Sequence, residues 1–154
     1  MASILLVFAS LSGNTEEIAD IIQSQIKPHA DVTRRHIDMD DIEAAELESY
    51  DGILFGTYTW GDGDLPYELE DFYDDMEDIN LKGIPSACFG SCDSSYLEYG
   101  AAVDTISMKL QEKGAVLVEP NLKIELDPEG EEINRCEEFA RQFLDKWKIH
   151  LQKA

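Results

Sequence analysis

Positive charge is scarce in this sequence. Twelve Lys and Arg stand against 33 Asp and Glu in 154 residues, a formal net charge of −21. That balance argues against nucleic acid as a partner, because binding a phosphate backbone depends on Lys and Arg displacing its counterions. An anionic membrane surface is excluded for the same reason. Cysteine is also scarce: Cys88, Cys92 and Cys136 are odd in number and form no C-x-x-C. No disulfide framework follows, and free thiols in a reducing cytoplasm are expected. The apolar run Ile4–Ala9 has no basic residue before it. It is far too short to span a membrane and lacks a secretory pattern. Five prolines and ten glycines exclude collagen-like and low-complexity chains.

What is present is enough apolar sequence for a core. Hydrophobic residues make up 44% of the chain, which excludes disorder driven by low hydrophobicity. The length suits one domain over residues 1–154, able to bury roughly 68–70% of its unfolded surface. Ile4–Phe8 is too continuous for a half-exposed strand and suits one buried on both faces. Ile18, Ala19, Ile22 and Ile26 recur at helical spacing, and Pro28 stops that helix. Asp31–Ile37 reads as a polar edge strand, Asp51–Gly56 as a third strand and Ile84–Gly90 as a fourth. A helix is expected from Pro66 through Met76, and another over Ala101–Lys113. Residues 115–118 and 122–126 read as one fifth strand interrupted near Pro120. Glu131–Leu151 reads as the closing helix, with Phe139, Phe143 and Trp147 four residues apart. This βα alternation predicts an α/β fold: a five-stranded parallel sheet with helices on both faces. Ligands of such sheets bind at the carboxyl ends of strands, so the loops after strands one, three and four are the candidates.

The first loop is Ser10-Leu11-Ser12-Gly13-Asn14-Thr15. Backbone N–H groups and hydroxyls at a strand-to-helix turn favour a phosphate. The loop lacks the Lys of a P-loop and the glycines of a dinucleotide fingerprint. A small monophosphate held by neutral groups fits it, and a plain N-cap at Ser12 or Asn14 is the alternative. The second loop, Thr57 to Asp64, carries Tyr58, Thr59, Trp60, Gly61 and Asp62. Trp60 is either a core plug or a wall for a flat aromatic ligand. The third loop, Ser91 to Gly100, offers Tyr96 as an opposite wall and Asp93 as an acceptor for a ring N–H. Together the three describe a phosphate site and an aromatic sandwich in one crevice.

Ser10 to Thr15, Thr59-Trp60-Gly61-Asp62 and Asp93-Ser94-Ser95-Tyr96 resemble the three FMN loops of the flavodoxins. The resemblance runs over nearly the whole chain, and the lack of a long insertion in the fifth strand is similar to the short-chain subgroup. It implies a three-layer sandwich with sheet order 2-1-3-4-5. It implies that Ser10, Leu11, Ser12, Gly13, Asn14 and Thr15 hold the FMN phosphate, with Trp60 and Tyr96 flanking the ring. The Gly61 carbonyl would meet flavin N5, and Asp93 with nearby backbone would meet the pyrimidine edge. Tyr58, Thr59, Asp62, Ser91, Cys92, Tyr99 and Gly100 complete the implied cofactor set. Leu11 stands where many members carry a hydroxyl, which removes one bond to the phosphate. Cys92 and Gly100 also differ from some members.

The implied function is a low-potential one-electron carrier in which FMN shuttles between semiquinone and hydroquinone. The implied partners are basic-faced redox proteins: an NADPH-dependent flavodoxin or ferredoxin reductase as donor, and oxidoreductases as acceptors. A cytoplasmic monomer that is not an enzyme is expected. His29, His36 and His150 lie outside the three loops, and neither a catalytic set nor a metal cluster is evident. Residues 37–81 hold 16 Asp or Glu and no Lys or Arg. Five such charges ~10 Å from a reduced anionic ring would cost ~2 kcal/mol, about 90 mV before screening. Two alternatives remain at this point. One is an FMN-dependent quinone or flavin reductase. The other is a phosphoacceptor receiver, which shares the fold but needs an acidic pocket that strand one, ending Phe8-Ala9-Ser10, lacks.

Overall fold

The computed structural model describes residues 1–61 and 63–153. Its strands are β1 (Ser3–Phe8), β2 (Asp31–His36), β3 (Gly52–Gly56), β4 (Pro85–Cys92), β5 (Val116–Leu117) and β6 (Leu122–Glu125). Its helices are α1 (Asn14–Ile26), α2 (Glu70–Asp75), α3 (Ala101–Glu112) and α4 (Glu131–Lys153). The parallel sheet runs β2-β1-β3-β4-β5, as expected.

Both faces of the sheet are buried, which is why β1 reads as an unbroken apolar run. Alternate side chains point to opposite faces. Ile4, Leu6 and Phe8 pack with α1 and with Phe139, Phe143 and Trp147 of α4. Leu5 and Val7 pack on the other face with Val103, Ile106 and Leu110 of α3. The polar edge strand is held from outside the core. Arg34 of β2 reaches Asp20 at 2.7 Å and Glu16 at 3.2 Å on α1, and its guanidinium lies over the Phe8 ring.

Three elements differ from expectation. The fifth position of the sheet is shared by two short strands. β5 pairs with Pro85–Ser86 and β6 with Phe89–Cys92 of the same β4. The break at Pro120 falls between them, where a proline cannot donate to the ladder. The helix expected from Pro66 is a 3-10 turn (Tyr67–Leu69), the short α2, and a second 3-10 turn (Met76–Asp78). Glu70 and Asp74, Asp71 and Asp75, and Asp74 and Asp78 are like charges four residues apart, which oppose a longer helix. A 3-10 segment at Ala44–Ser49 completes the β2–β3 crossover, within a stretch just as acidic.

Two of the cations that hold this acidic half come from α3 and the residue that follows it. Lys109 is only 5% exposed. It pairs with Glu77 and sits over the Tyr73 ring, 4.8 Å from its centroid. Lys113 reaches the same Glu77 through its carboxylate at 3.1 Å and its carbonyl at 2.7 Å.

β4 passes β3 closely at Gly90. A Cβ there would stand 2.0 Å from the Thr57 carbonyl oxygen and 2.5 Å from Val103. The Thr57 N–H also donates to the Phe89 carbonyl at 3.1 Å. Gly90→Ala is therefore expected to destabilise the fold by about 3 kcal/mol. The thermal midpoint should fall by about 10 °C, measured by circular dichroism. An unchanged midpoint would show that β3 and β4 can separate at no cost.

Candidate functional site

The three loops meet at the carboxyl ends of β1, β3 and β4. They enclose a cavity of about 360 Å³, within the size range of small-ligand sites. The first loop contributes Leu11, Ser12 and Asn14 to its lining. The second contributes Tyr58, Thr59, Trp60 and Gly61. The third contributes Ser91, Cys92, Asp93 and Tyr96.

The first loop ends at Gly13, in the left-handed region at φ 92°, and Gly13, the residue that leads into α1, has no side chain to cap it. The N-cap alternative at Ser12 or Asn14 therefore does not occur. A thirteen-residue helix led by a glycine presents its first N–H groups and the positive end of its dipole to the loop. Ser10 Oγ accepts from the Glu16 N–H at 3.3 Å. Thr15 is buried, and its hydroxyl bonds Ser91 Oγ at 2.8 Å, tying α1 to β4. That contact uses one of the two hydroxyl hydrogens, so one remains for another acceptor.

The second loop is closed by a two-bond bridge. Trp60 N–H donates to the Asp64 carbonyl at 2.8 Å, and Asp64 N–H donates back at 2.9 Å. Gly61 sits at φ 53° with open space where a Cβ would stand. Asp62 lies outside the described residues. Trp60 is 55% exposed and lines the cavity, so it is a wall and not a core plug. Thr59 Oγ1 accepts from the Ala102 N–H at 3.2 Å, which ties this loop to the start of α3. The Tyr58 hydroxyl donates to Glu68 at 2.7 Å. Burial first, then Glu68, raises its pKa, so it stays protonated.

Tyr96 is 43% exposed and contributes a second aromatic wall. Asp93 Oδ1 accepts from both the N–H and the hydroxyl of Ser95, at 2.9 and 2.6 Å. That oxygen is already occupied and cannot also serve a ligand fully. Burial pushes the Cys92 thiol up to about 11, which makes it an inert wall residue.

Five expected residues do not line the cavity: Ser10, Gly13, Thr15, Tyr99 and Gly100. The first three shape the loop beneath it. The Tyr99 carbonyl accepts from Lys123 at 3.2 Å, and Gly100 opens α3 at φ 65°. Leu126 lines the cavity and was not expected. Leu122, Ile124 and Leu126 alternate as core residues of a strand would, and nothing in that pattern marks the last as different. Leu126 is 47% exposed at φ 52°.

Trp60 is also a wall of a second groove of about 500 Å³, with Leu65, Tyr67 and Tyr73 and the carboxylates of Asp64, Glu70 and Asp74. Among the described residues, no three His, Cys, Asp or Glu side chains group to hold a metal ion. No described helix is long and apolar enough to cross a membrane.

Two exposed aromatic walls, a helix start led by a glycine and neutral hydroxyls suit a flat ring system bearing one phosphate. Comparison with known proteins agrees. The Flavodoxin family model matches residues 6–139. Probable flavodoxin 1 of Bacillus subtilis is 46% identical, with 98% of this chain and 99% of that protein aligned. A flavodoxin of Maridesulfovibrio salexigens is 38% identical over 86% of this chain and 92% of its own. The crystal structure of oxidised Flavodoxin 1 from Bacillus cereus superposes with a TM-score of 0.91. It is 50% identical and covers 94% of this chain and 98% of that one.

The Asp93 turn carries a pH signature. The Ser95 hydroxyl first, then the Ser95 N–H, hold the Asp93 carboxyl below its usual range. A folded pKa below the unfolded one supports the turn above the unfolded value. That support is lost as pH falls through the lowered folded value. The Ser95 amide shift, followed by nuclear magnetic resonance, should titrate with a midpoint below that of a free aspartate. A midpoint at or above it would remove the turn.

Proposed function

The chain belongs to the flavodoxin family and is an FMN-binding electron carrier rather than an enzyme, and from that premise we propose how its own residues do the work. The observation that carries the proposal is the convergence of three strand-end loops on one cavity with Trp60 and Tyr96 exposed on its walls. Bound FMN supplies a ring that takes up and returns electrons one at a time.

The N–H groups of the first loop and the hydroxyls of Ser10, Ser12 and Thr15 bind the phosphate without a cation. Trp60 and Tyr96 cover the ring faces and exclude water. Gly61, left-handed and without a Cβ, lets its peptide turn towards a ring N–H. The backbone around Cys92 and Asp93 meets the pyrimidine edge, since Asp93 Oδ1 is held by Ser95. Tyr58 and Thr59 support the second loop, and Tyr99 and Gly100 support the third.

The carboxylates act on the potential and on the partner. Negative charge near the ring makes a further electron costly and lowers the potential. The same charges draw a basic-faced redox protein: a pyridine-nucleotide-dependent reductase as donor, and oxidoreductases as acceptors. The groove beside Trp60 supports this reading, because it joins aromatic faces to carboxylates, a combination suited to Arg and Lys. The working unit is a single cytoplasmic domain over residues 1–154, monomeric because like charges repel.

Titration of the apoprotein with FMN should quench flavin fluorescence, and anaerobic reduction should proceed in two separate one-electron steps. Ser12→Ala is expected to weaken FMN about tenfold, the value of one bond to a charged group. Riboflavin, which lacks the phosphate, should bind as before. Equal loss for both ligands would move the phosphate away from Ser12. Converting Asp64, Glu68 and Asp71 together to their amides should raise the potential of the second electron. At ~0.4 kcal/mol per charge ~10 Å away, the shift is about 50 mV at low salt. No shift in potentiometry would leave these acids a purely solvating role.

A further inference from the structure

We propose that Leu126 is a fourth contact element of the cofactor site, packing against the flavin ring from the end of β6. The inference rests on the reading that the cavity holds FMN.

Leu126 is the one residue other than glycine with a positive φ among the described residues. A side chain is disfavoured there because Cβ crowds the neighbouring carbonyl oxygen, and glycine or asparagine is the usual occupant. The backbone is nevertheless pinned in place. Leu126 N–H donates to the Cys92 carbonyl at 2.8 Å. The preceding Glu125 carboxylate accepts from the Ser94 N–H at 3.1 Å and from the Ser94 hydroxyl at 3.0 Å. This corner is thus built onto the loop that carries Asp93 and Tyr96.

A large apolar side chain at an unfavourable angle normally gains burial in return. Leu126 remains half exposed and turns towards the cavity instead. Folding alone therefore gives little return for the strain. A ligand lying on the side chain would supply the missing burial. The corner is bonded to the third loop, the one that brings Tyr96, and Trp60, Tyr96 and Leu126 are apolar surfaces of one cavity. The ring, not the phosphate, is accordingly the part of FMN that Leu126 touches.

The test uses the full chain in its flavin-free and flavin-bound forms. Leu126→Gly suits the backbone angle and deletes the contact. It is expected to leave the apoprotein at least as heat-stable as the parent, while weakening FMN and riboflavin equally, each about tenfold. Leu126→Met keeps an apolar side chain and should bind both flavins within twofold of the parent. Undiminished affinity in Leu126→Gly would overturn the proposal, as would loss for FMN alone. A drop in apoprotein stability in Leu126→Gly would also overturn it, by making the residue structural. Trp60→Ala and Tyr96→Ala separate the two readings. If they lose affinity and Leu126→Gly does not, only the Leu126 inference fails. If neither loses affinity, the cavity assignment itself fails.

Discussion

A sheet that must bury both of its faces leaves only its strand ends for polar chemistry. β1 sends Ile4, Leu6 and Phe8 one way and Leu5 and Val7 the other, and helices cover both sides. Hydroxyls, amides and carboxylates then gather where strands stop. The loops there are not loose attachments. Thr15 is bonded to Ser91, Thr59 to the start of α3, and Thr57 to the Phe89 carbonyl. Each contact ties a strand-end loop to a neighbouring strand or helix.

Charge is the second constraint. Residues 37–81 carry no cation of their own, so their partners arrive from elsewhere. Lys109 of α3 and Lys113 just past its end grip Glu77, and Arg35 reaches Glu46 from β2 at 3.5 Å. Among the described residues, most of these carboxylates find no such partner, and their mutual repulsion opposes long helices there. Asp64, Glu70 and Asp74 stand beside Trp60, and Glu68 accepts from the Tyr58 hydroxyl. A fold held by apolar burial tolerates this repulsion, because exposed charges at separations near 10 Å cost only ~0.4 kcal/mol per pair in water.

Much of this was legible in the residues. The continuous run of β1 signals two buried faces. Phe139, Phe143 and Trp147 mark the inner stripe of α4. The sequence also pointed to the three strand-end loops that line one cavity, with Trp60 and Tyr96 exposed on it. What stayed illegible depends on contacts between distant residues or on backbone angles set by them. The Thr15–Ser91 bond joins positions 76 apart. Asp93 reads as a free acceptor until Ser95 is seen to occupy it. Leu126 continues an alternation that predicts burial, and only its φ and its place beside Cys92 separate it from the core. The break between β5 and β6 was visible at Pro120, but their shared pairing with β4 was not.

The lack of cations in two places then serves one end. A lysine in the first loop would bind a phosphate more tightly, as it does in a P-loop. It would also place a positive charge within about 10 Å of the ring and stabilise the added electron by ~0.4 kcal/mol, cancelling one carboxylate. Neutral N–H groups and hydroxyls avoid that conflict, because a dipole's attraction falls off faster with distance than a charge's. In the proposed arrangement the phosphate would be held by short-range bonds that leave the ring's potential alone, and the acids around the second loop would set that potential. On this reading, cofactor retention and redox tuning use different physical ranges and can be changed independently. The absence of Lys and Arg from the first loop and from residues 37–81 is what keeps them separate.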